Sequence, residues 1–428
     1  MHSRFPSLLL ITASSPDIRH VRRSRVLDFQ QITMPYLAAF VPRHWTVRHI
    51  DEAVAPVDFD TPANLVAITF HTPSAPHVYT MVAKFRSRGA TVALGGPHVT
   101  LMPDEAEKHA DAIFVGEAEE TWPRFLADFE AGKISRRYFS PQVPSLDAAP
   151  MARKDLFHRD DHTAGVLFAS RGCLHRCDFC TIAVMYRNRV RKRRVEDVAA
   201  EYASFKGRVI ILWDDNIAAD MTYAKELFRA LTPHRKWWSC QASIHAASDE
   251  EFLELAAVSG CKQLFFGLES VCQKSLNGVS KAFNRVDDYA RAIERVHRHG
   301  ISVQAGIVFG FDGDMPSVFD DTLDFLEKTG VQNATFNVLT PFPGTPLYER
   351  LDAEGRILAR DWNRYNGRED VVFRPWNMSP EELLEGYLHA NRRFYSLASI
   401  GRRLIRSPIG LFWTLPLNLA HSVALHFG

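Results

Sequence analysis

Residues 170–186, SRGCLHRCDFCTIAVMY, hold three of the chain's six cysteines: Cys173, Cys177 and Cys180. Thiolates so close together in sequence bind metals or exchange disulfides, and their spacing limits which. A tetrahedral zinc site usually draws its ligands from two separated pairs, and no second pair follows here. A disulfide between two of the three would strand the third, and six cysteines in 428 residues make no disulfide framework. Three thiolates on one loop suit an iron–sulfur cube with three irons held and one left open. The remaining Cys240, Cys261 and Cys272 are isolated in or beside apolar runs, where a free cysteine serves as a small core residue.

The elements around the cluster set where it must lie. From 164 onward, β-branched and aromatic runs recur: AGVLFAS (164–170), RVIILWDD (208–215), WWSCQAS (237–243), CKQLFFGLES (261–270), SVQAGIVFG (302–310) and NATFNVLT (333–340). Helical stretches closed by glycine, such as SDEEFLELAAVSG, fill the gaps. Six β–α units in under 200 residues predict a parallel, partly closed β/α barrel, with functional groups at the carboxyl ends of its strands. The cysteines follow the first of these strands, which is a site position. The first ~140 residues alternate in the same way, with strands predicted at 7–13, 45–51, 65–70, 91–96 and 112–117. That pattern gives a Rossmann-like or flavodoxin-like domain, which binds ligands beyond the carboxyl ends of its strands. No GxGxxG follows its first strand, so a dinucleotide is not supported. The division is 1–140 front domain, 141–160 proline-containing linker, 161–355 barrel and 356–428 helical extension with an apolar tail.

With the strand order in view, C-x3-C-x2-C with an aromatic, Phe179, before the last cysteine resembles the signature of radical S-adenosylmethionine (SAM) enzymes. The resemblance implies a [4Fe–4S] cluster on Cys173, Cys177 and Cys180, whose open iron chelates SAM and whose electron cleaves it to a 5′-deoxyadenosyl radical. It also implies SAM contacts from Phe179, from Asp214 and Asp215 in LWDDN, from Gln241 in WWSCQAS, and from Glu269 and Ser270 in FFGLES. GIVFG (306–310) resembles the stretch that supports adenine. The basic run RNRVRKRR (187–194) reads as a solvated or SAM-facing loop, because the rest of the chain shows no basic face for nucleic acid.

The front domain, with GGPHVTLMPDEAEKHADAIFVGEAEETW, and LTPFPGTPLYERL after the sixth barrel strand resemble the cobalamin-binding branch of that superfamily. The cobalamin contacts so implied are Thr72, Ser74, Gly95, Gly96, His98, Thr100 and Glu117. The glycines would let backbone approach the corrin, and the hydroxyls would bond its amides and phosphate. The D-x-H-x-x-G motif that supplies a lower axial histidine in many B12 proteins is absent; Asp17 and His20 have the wrong spacing. His71 and His98 stand at strand ends, where a lone histidine is commonly a packed or solvated residue.

The activity implied is methylation of an unactivated carbon of a small-molecule or lipid-like substrate, through a 5′-deoxyadenosyl radical and methylcobalamin. A non-methylating rearrangement, cyclisation or oxidation on the same cofactors is the alternative, and a non-catalytic metal-binding module the remote one. An electron donor such as flavodoxin or ferredoxin is implied as partner, and no SPASM-like cysteine motif suggests an auxiliary cluster. With 46% hydrophobic and 24% charged residues and a net charge of +1, the composition is that of a globular protein with no global pull toward nucleic acid or anionic membrane. The N-terminal apolar run is too short for a signal peptide and reads as a strand, which makes the cytoplasm the default. The uncharged tail SPIGLFWTLPLNLAHSVALHFG follows Arg402, Arg403 and Arg406. It either folds back on the barrel or rests on the inner membrane face, and in the second case it hints at a membrane-soluble substrate.

Overall fold

A computed structural model of the chain describes residues 6–14, 30–158, 164–405, 407 and 409–427, with backbone alone at 412 and 424–427. Asp17 and His20 lie outside these residues. The front domain is a six-stranded parallel sheet: β1 (Ser7–Thr12), β2 (Thr46–Asp51), β3 (Leu65–Thr69), β4 (Thr91–Gly95), β5 (Ala112–Val115) and β6 (Arg137–Phe139). They are ordered β2-β1-β3-β4-β5-β6, the flavodoxin-like order extended by one strand. The inner strands are covered on both faces, which is why β1, β3, β4 and β5 read as continuous apolar runs, while the edge strands β2 and β6 are partly exposed. Leu9 and Ile11 join Val66, Ile68, Val78 and Phe85 on one face, while Leu8 and Leu10 join Trp122, Phe125 and Tyr138 on the other.

The second sheet is also parallel. β7 (Gly165–Leu167) is followed by a two-residue antiparallel ribbon, β8 (Ser170–Arg171) with β9 (Arg191–Lys192). Then come β10 (Val209–Leu212), β11 (Trp237–Ala242), β12 (Cys261–Glu269), β13 (Ser302–Phe309) and β14 (Asn333–Val338). The order β14-β13-β12-β11-β10-β7 is sequential, with β7 and β14 as its edges, so the predicted barrel is an open (β/α)6 arc. Its core runs from Leu167 and Leu212 through Leu264, Phe266 and Ile307 to Phe336, and the helices that cover it add Leu227, Phe252, Ile293 and Leu323. Asp220, Asp249 and Thr345 each cap a helix after a strand by accepting the backbone N–H three residues on.

Three helices end the chain: Pro380–Phe394, Leu397–Ile405 and Leu411–Phe427. The first opens with a capping box between Ser379 and Glu382. The tail therefore folds back on the second sheet, and among the described residues no helix is long and apolar enough to cross a membrane.

Candidate active site

The cluster loop hangs from a rigid bracket. Beyond β7 the chain enters the β8–β9 ribbon, and Gly172 turns it toward Cys173 at φ +96°. A Cβ there would land on the Arg189 carbonyl, so only glycine fits. The Cys180 N–H donates to the Cys177 carbonyl at 3.0 Å, which closes the turn. Asp178 ties the loop to the barrel: its N–H donates to the Val279 carbonyl at 3.2 Å, and its own carbonyl accepts from the Leu347 N–H at 3.0 Å. Helix Thr181–Met185 then starts, and the N–H groups of Ile182 and Ala183 point at the Cys180 sulfur. The Asn216 amide donates to the Cys173 sulfur at 3.7 Å.

All three thiols are free. Burial pushes the Cys177 thiol up to about 12, and its neighbours Cys180 and Cys173 push the same way. Lys281 opposes them. This lysine is buried beside Cys177 and Cys180, and its ammonium lies 2.6 Å from Glu269 Oε1. Burial would lower its pKa, but the Glu269 carboxylate outweighs that and holds it above the ordinary value. The motif reading missed Lys281, because nothing in NGVSKAF marks a lysine twelve residues beyond Glu269 as a neighbour of the cysteines.

The expected SAM-side residues divide into two groups. Phe179, Asp215, Gln241 and Glu269 stand with the cysteines at the carboxyl ends of β7 and β10–β12. Phe179 packs against Phe311 at 5.7 Å between ring centroids. One Asp215 oxygen accepts from the Gly172 N–H at 2.7 Å, and the Gln241 amide donates to the Asp215 carbonyl at 2.8 Å. Glu269 sits at φ +65° beside Lys281.

Asp214 and Ser270 turn inward instead, with their polar atoms engaged by the protein itself. Asp214 is 4% exposed, and it accepts from the Ala169 N–H at 3.1 Å and from the Ser170 hydroxyl at 2.6 Å, as well as from the Ser170 N–H. Burial raises its carboxyl to about 6 against these bonds. Ser270 is likewise buried: its hydroxyl accepts from the Cys272 N–H at 3.1 Å and faces Asp314, which braces the turn after β13. Alternation along a strand does not reveal which of two adjacent polar residues faces in.

At the carboxyl edge of the front sheet, Thr72, Ser74, Gly95, Gly96, His98 and Thr100 do gather. Thr100 Oγ1 donates to the Gly96 carbonyl and accepts from the Gly116 N–H, both at 3.1 Å, which joins the ends of β4 and β5. Gly96, at φ +99°, is required by the protein's own packing: a Cβ there would meet Thr69 Oγ1 at 2.5 Å. Thr72 and Ser74 are buried. His98 is fully buried too, with Nδ1 3.2 Å from Thr72 Oγ1 and Nε2 3.2 Å from the Tyr79 hydroxyl. Burial lowers its pKa, and it serves as an internal strut, not an exposed ligand. His71 is exposed at the end of β3.

Glu117, expected at the cobalamin edge, is paired with two arginines of the β8–β9 ribbon. Arg171 Nη1 lies 2.6 Å from its Oε1 and 2.5 Å from Glu119 Oε1, while Arg191 takes the other Glu117 oxygen. Burial would raise Glu119, yet the Arg171 guanidinium outweighs it and holds the carboxyl below the usual range. The Tyr36 hydroxyl completes the knot, 3.2 Å from Glu119. Glu117 therefore clamps the front domain to the ribbon that carries the cluster loop. Other basic residues of 187–194 are engaged within the chain as well: Arg193 with Glu201, Lys192 with Asp220 and Arg194 with Asp197.

The donor sets fit the implied cofactors. Among the described residues no three His, Cys, Asp or Glu side chains converge tightly enough for a single metal ion. Three free thiols on one turn, with a buried cation beside two of them, suit a multi-iron cluster in which each iron takes one thiolate. At the front edge Gly116 (φ +84°) has nothing within 4 Å of where a Cβ would stand, which leaves room for a flat ligand to approach.

The radical SAM superfamily matches residues 167–326, the B12 binding domain residues 18–126, and a domain of unknown function residues 345–408. Bacteriochlorophyllide d C-12(1)-methyltransferase of Chlorobaculum tepidum is 28% identical over 91% of this chain and 89% of its own. Hopanoid C-2 methylase of Rhodopseudomonas palustris is 26% identical over 82% and 71%. The fold is that of the cobalamin-dependent SAM radical enzyme OxsB, solved with aqua-cobalamin and SAM bound (TM-score 0.70, 11% identity, 99% of this chain and 72% of that one). The chain thus carries a radical SAM domain and a B12 binding domain, whose cofactors are a [4Fe–4S] cluster, SAM and cobalamin, and its cysteine trio fits the first of these.

Proposed function

We propose that this enzyme methylates an unactivated carbon of a small-molecule or lipid-like substrate. The observation that carries the reading is the packing of helix Pro97–Leu101, at the carboxyl edge of the front sheet, on helix Thr181–Met185, which follows the cluster cysteines. The edge that would hold cobalamin and the loop that would hold the cluster thus border one another, as a reaction using both requires. The relatives named for methyl transfer to bacteriochlorophyllide and to hopanoid support the same reaction class.

Bound together, the cofactors supply a one-electron reductant, a hydrogen-abstracting radical and a methyl carrier. The chain's own residues set the stage for that chemistry. Cys173, Cys177 and Cys180 would hold the cluster, and Lys281 places a buried positive charge against the negative charge of their thiolates. Asp215 and Gln241 hold each other at the strand ends, where a polar cofactor would be oriented. Phe179 and Phe311 form an apolar wall beside the loop that excludes water. The loops after β3, β4 and β5, through Gly95 and Gly116, would cradle the corrin. An external one-electron protein donor, flavodoxin or ferredoxin, completes the scheme in a cytoplasmic setting, with bilayer contact through the C-terminal helices.

Anaerobic turnover with reconstituted enzyme tests the reaction. S-adenosylhomocysteine and 5′-deoxyadenosine should appear in near-equal amounts, with label from the SAM methyl in the product. Formation of 5′-deoxyadenosine alone would mean a non-methylating radical reaction and sink the proposal.

A further inference from the structure

The last helix, Leu411–Phe427, is turned inside out. A helix on a water-soluble protein buries its apolar stripe and shows its polar one. Here Thr414, Asn418 and Ser422, spaced four apart, face the protein at 0%, 0% and 9% exposure. Leu411, Leu419 and Val423 face outward at 51%, 40% and 57%. The buried polar stripe is held through Asn418, while the Thr414 hydroxyl is buried without a hydrogen-bond partner. Asn418 donates to the Gln332 carbonyl at 3.0 Å and to Asn333 Oδ1 at 2.8 Å, and it accepts from Arg403 at 3.0 Å. Arg403, itself buried, stacks on Phe394 at 3.6 Å from the ring centroid. These bonds fix the helix rotation, so the outward apolar face is built in.

The preceding helix, which packs on it, also shows apolar side chains to solvent. Leu397 and Ile405, two turns apart, are 71% and 85% exposed. Charge on this segment has one sign: after Glu385 the sequence contains no Asp or Glu, but it contains Arg392, Arg393, Arg402, Arg403 and Arg406. Arg403 is internal, and Arg393 pairs with Asp320 and Asp324. Arg402 is 55% exposed and pairs with Glu327, and Arg392 is exposed. Apolar side chains flanked by arginines are the two signals that together hold a protein on an anionic bilayer.

The position of this face matters. Gln332 and Asn333 open β14, and Trp413 meets Trp237, the first residue of β11, at 6.4 Å. The tail helix therefore covers the amino ends of the strands, opposite the cysteine loop. We propose that helices Leu397–Ile405 and Leu411–Phe427 form an interfacial anchor that seats the enzyme on an anionic lipid surface, with its cofactor end turned away from that surface. The tail is then a mooring and not a wall of the substrate site, which replaces the link to substrate drawn from sequence.

Sedimentation of the full chain with phosphatidylglycerol–phosphatidylcholine vesicles, and with phosphatidylcholine alone, tests this. Binding to the anionic vesicles should be at least tenfold tighter and should weaken with salt. The outward-facing triple variant Ile405→Ser, Leu419→Ser, Val423→Ser should lose at least tenfold in vesicle binding. It should keep its circular dichroism and its production of 5′-deoxyadenosine from SAM. No vesicle binding by the parent, or equal binding to both compositions, would overturn the proposal. So would a parent dimer that the triple variant converts to monomer, since the face would then seal against a second copy. None of these outcomes depends on whether the product is methylated.

Discussion

Asp214 shows how much a single buried carboxyl determines. Both oxygens accept from the segment that leads into the cluster ribbon, and burial still raises its pKa to about 6. Well below the ordinary value of 3.8 the group is protonated in both folded and unfolded chain, and nothing is lost. As pH rises toward 6 the unfolded chain releases the proton first, so folding stability falls; the loss reaches about 3 kcal/mol at neutral pH. Asp214→Asn removes the titration but puts an amide donor against N–H donors, at a cost of about 1–3 kcal/mol. Chemical denaturation at pH 4 and pH 7 should show the stability difference moving by about 2 kcal/mol in the variant's favour as pH rises. A pH-independent difference would mean that Asp214 titrates normally. Sequence alone could place Asp214 and Asp215 at a strand end, but not say that one braces the backbone from inside while the other remains half-buried. The three cysteines were legible because a ligand set on one loop is a local pattern. Lys281, Asn216 and Arg171 were not, since their partners are distant in sequence.

The inner strands of both sheets were readable as elements, since a parallel strand covered on both faces reads as an apolar run. β6 was missed because three residues, RYF, give no periodicity, and the β8–β9 ribbon because its residues are polar and only four. That ribbon is nevertheless what aims the cysteine loop, and Gly172 is its pivot. Gly172→Ala puts a methyl on the Arg189 carbonyl as well as forcing a positive φ. Gly89 supplies the comparison: its φ is +84°, but nothing stands within 4 Å of an added Cβ. Gly89→Ala should therefore lose only the roughly 1–2 kcal/mol of left-handed strain. Gly172→Ala should lose more in thermal unfolding, and most of its iron after anaerobic reconstitution. Equal stability losses with full iron in both variants would show that the ribbon does not position the loop.

At the scale of the whole chain, two polar contacts join the front domain to the rest, beside the packing of helix Pro97–Leu101 on helix Thr181–Met185 and of Tyr36 on Phe168. One is the clamp of Arg171 and Arg191 on Glu117 and Glu119. The other is a strap from the extension: Trp362 donates to both Glu105 oxygens at 3.0 Å and packs on His98. Neither was visible in sequence, where GEAEET and RNRVRKRR read as a strand-end loop and a solvated basic run. Complementary charge on two segments seventy residues apart has no local signature. The two contacts should differ in strength. Arg171→Ala leaves two carboxylates buried at 8% and 9% exposure with Arg191 alone to serve them, a loss of about 3–5 kcal/mol. Trp362→Ala removes a hydrogen bond and a ring contact at the rim, about 1–3 kcal/mol. A protease site placed between Ala148 and Ala149 separates the covalent halves and lets these contacts be read directly. After cleavage the two pieces should still co-elute in size exclusion, and they should do so with Trp362→Ala. Arg171→Ala should release the front piece, because the single nitrogen that meets both carboxylates is lost. Halves of the parent that separate on cleavage would show that the linker, not the clamp, holds the cobalamin edge against the cluster loop.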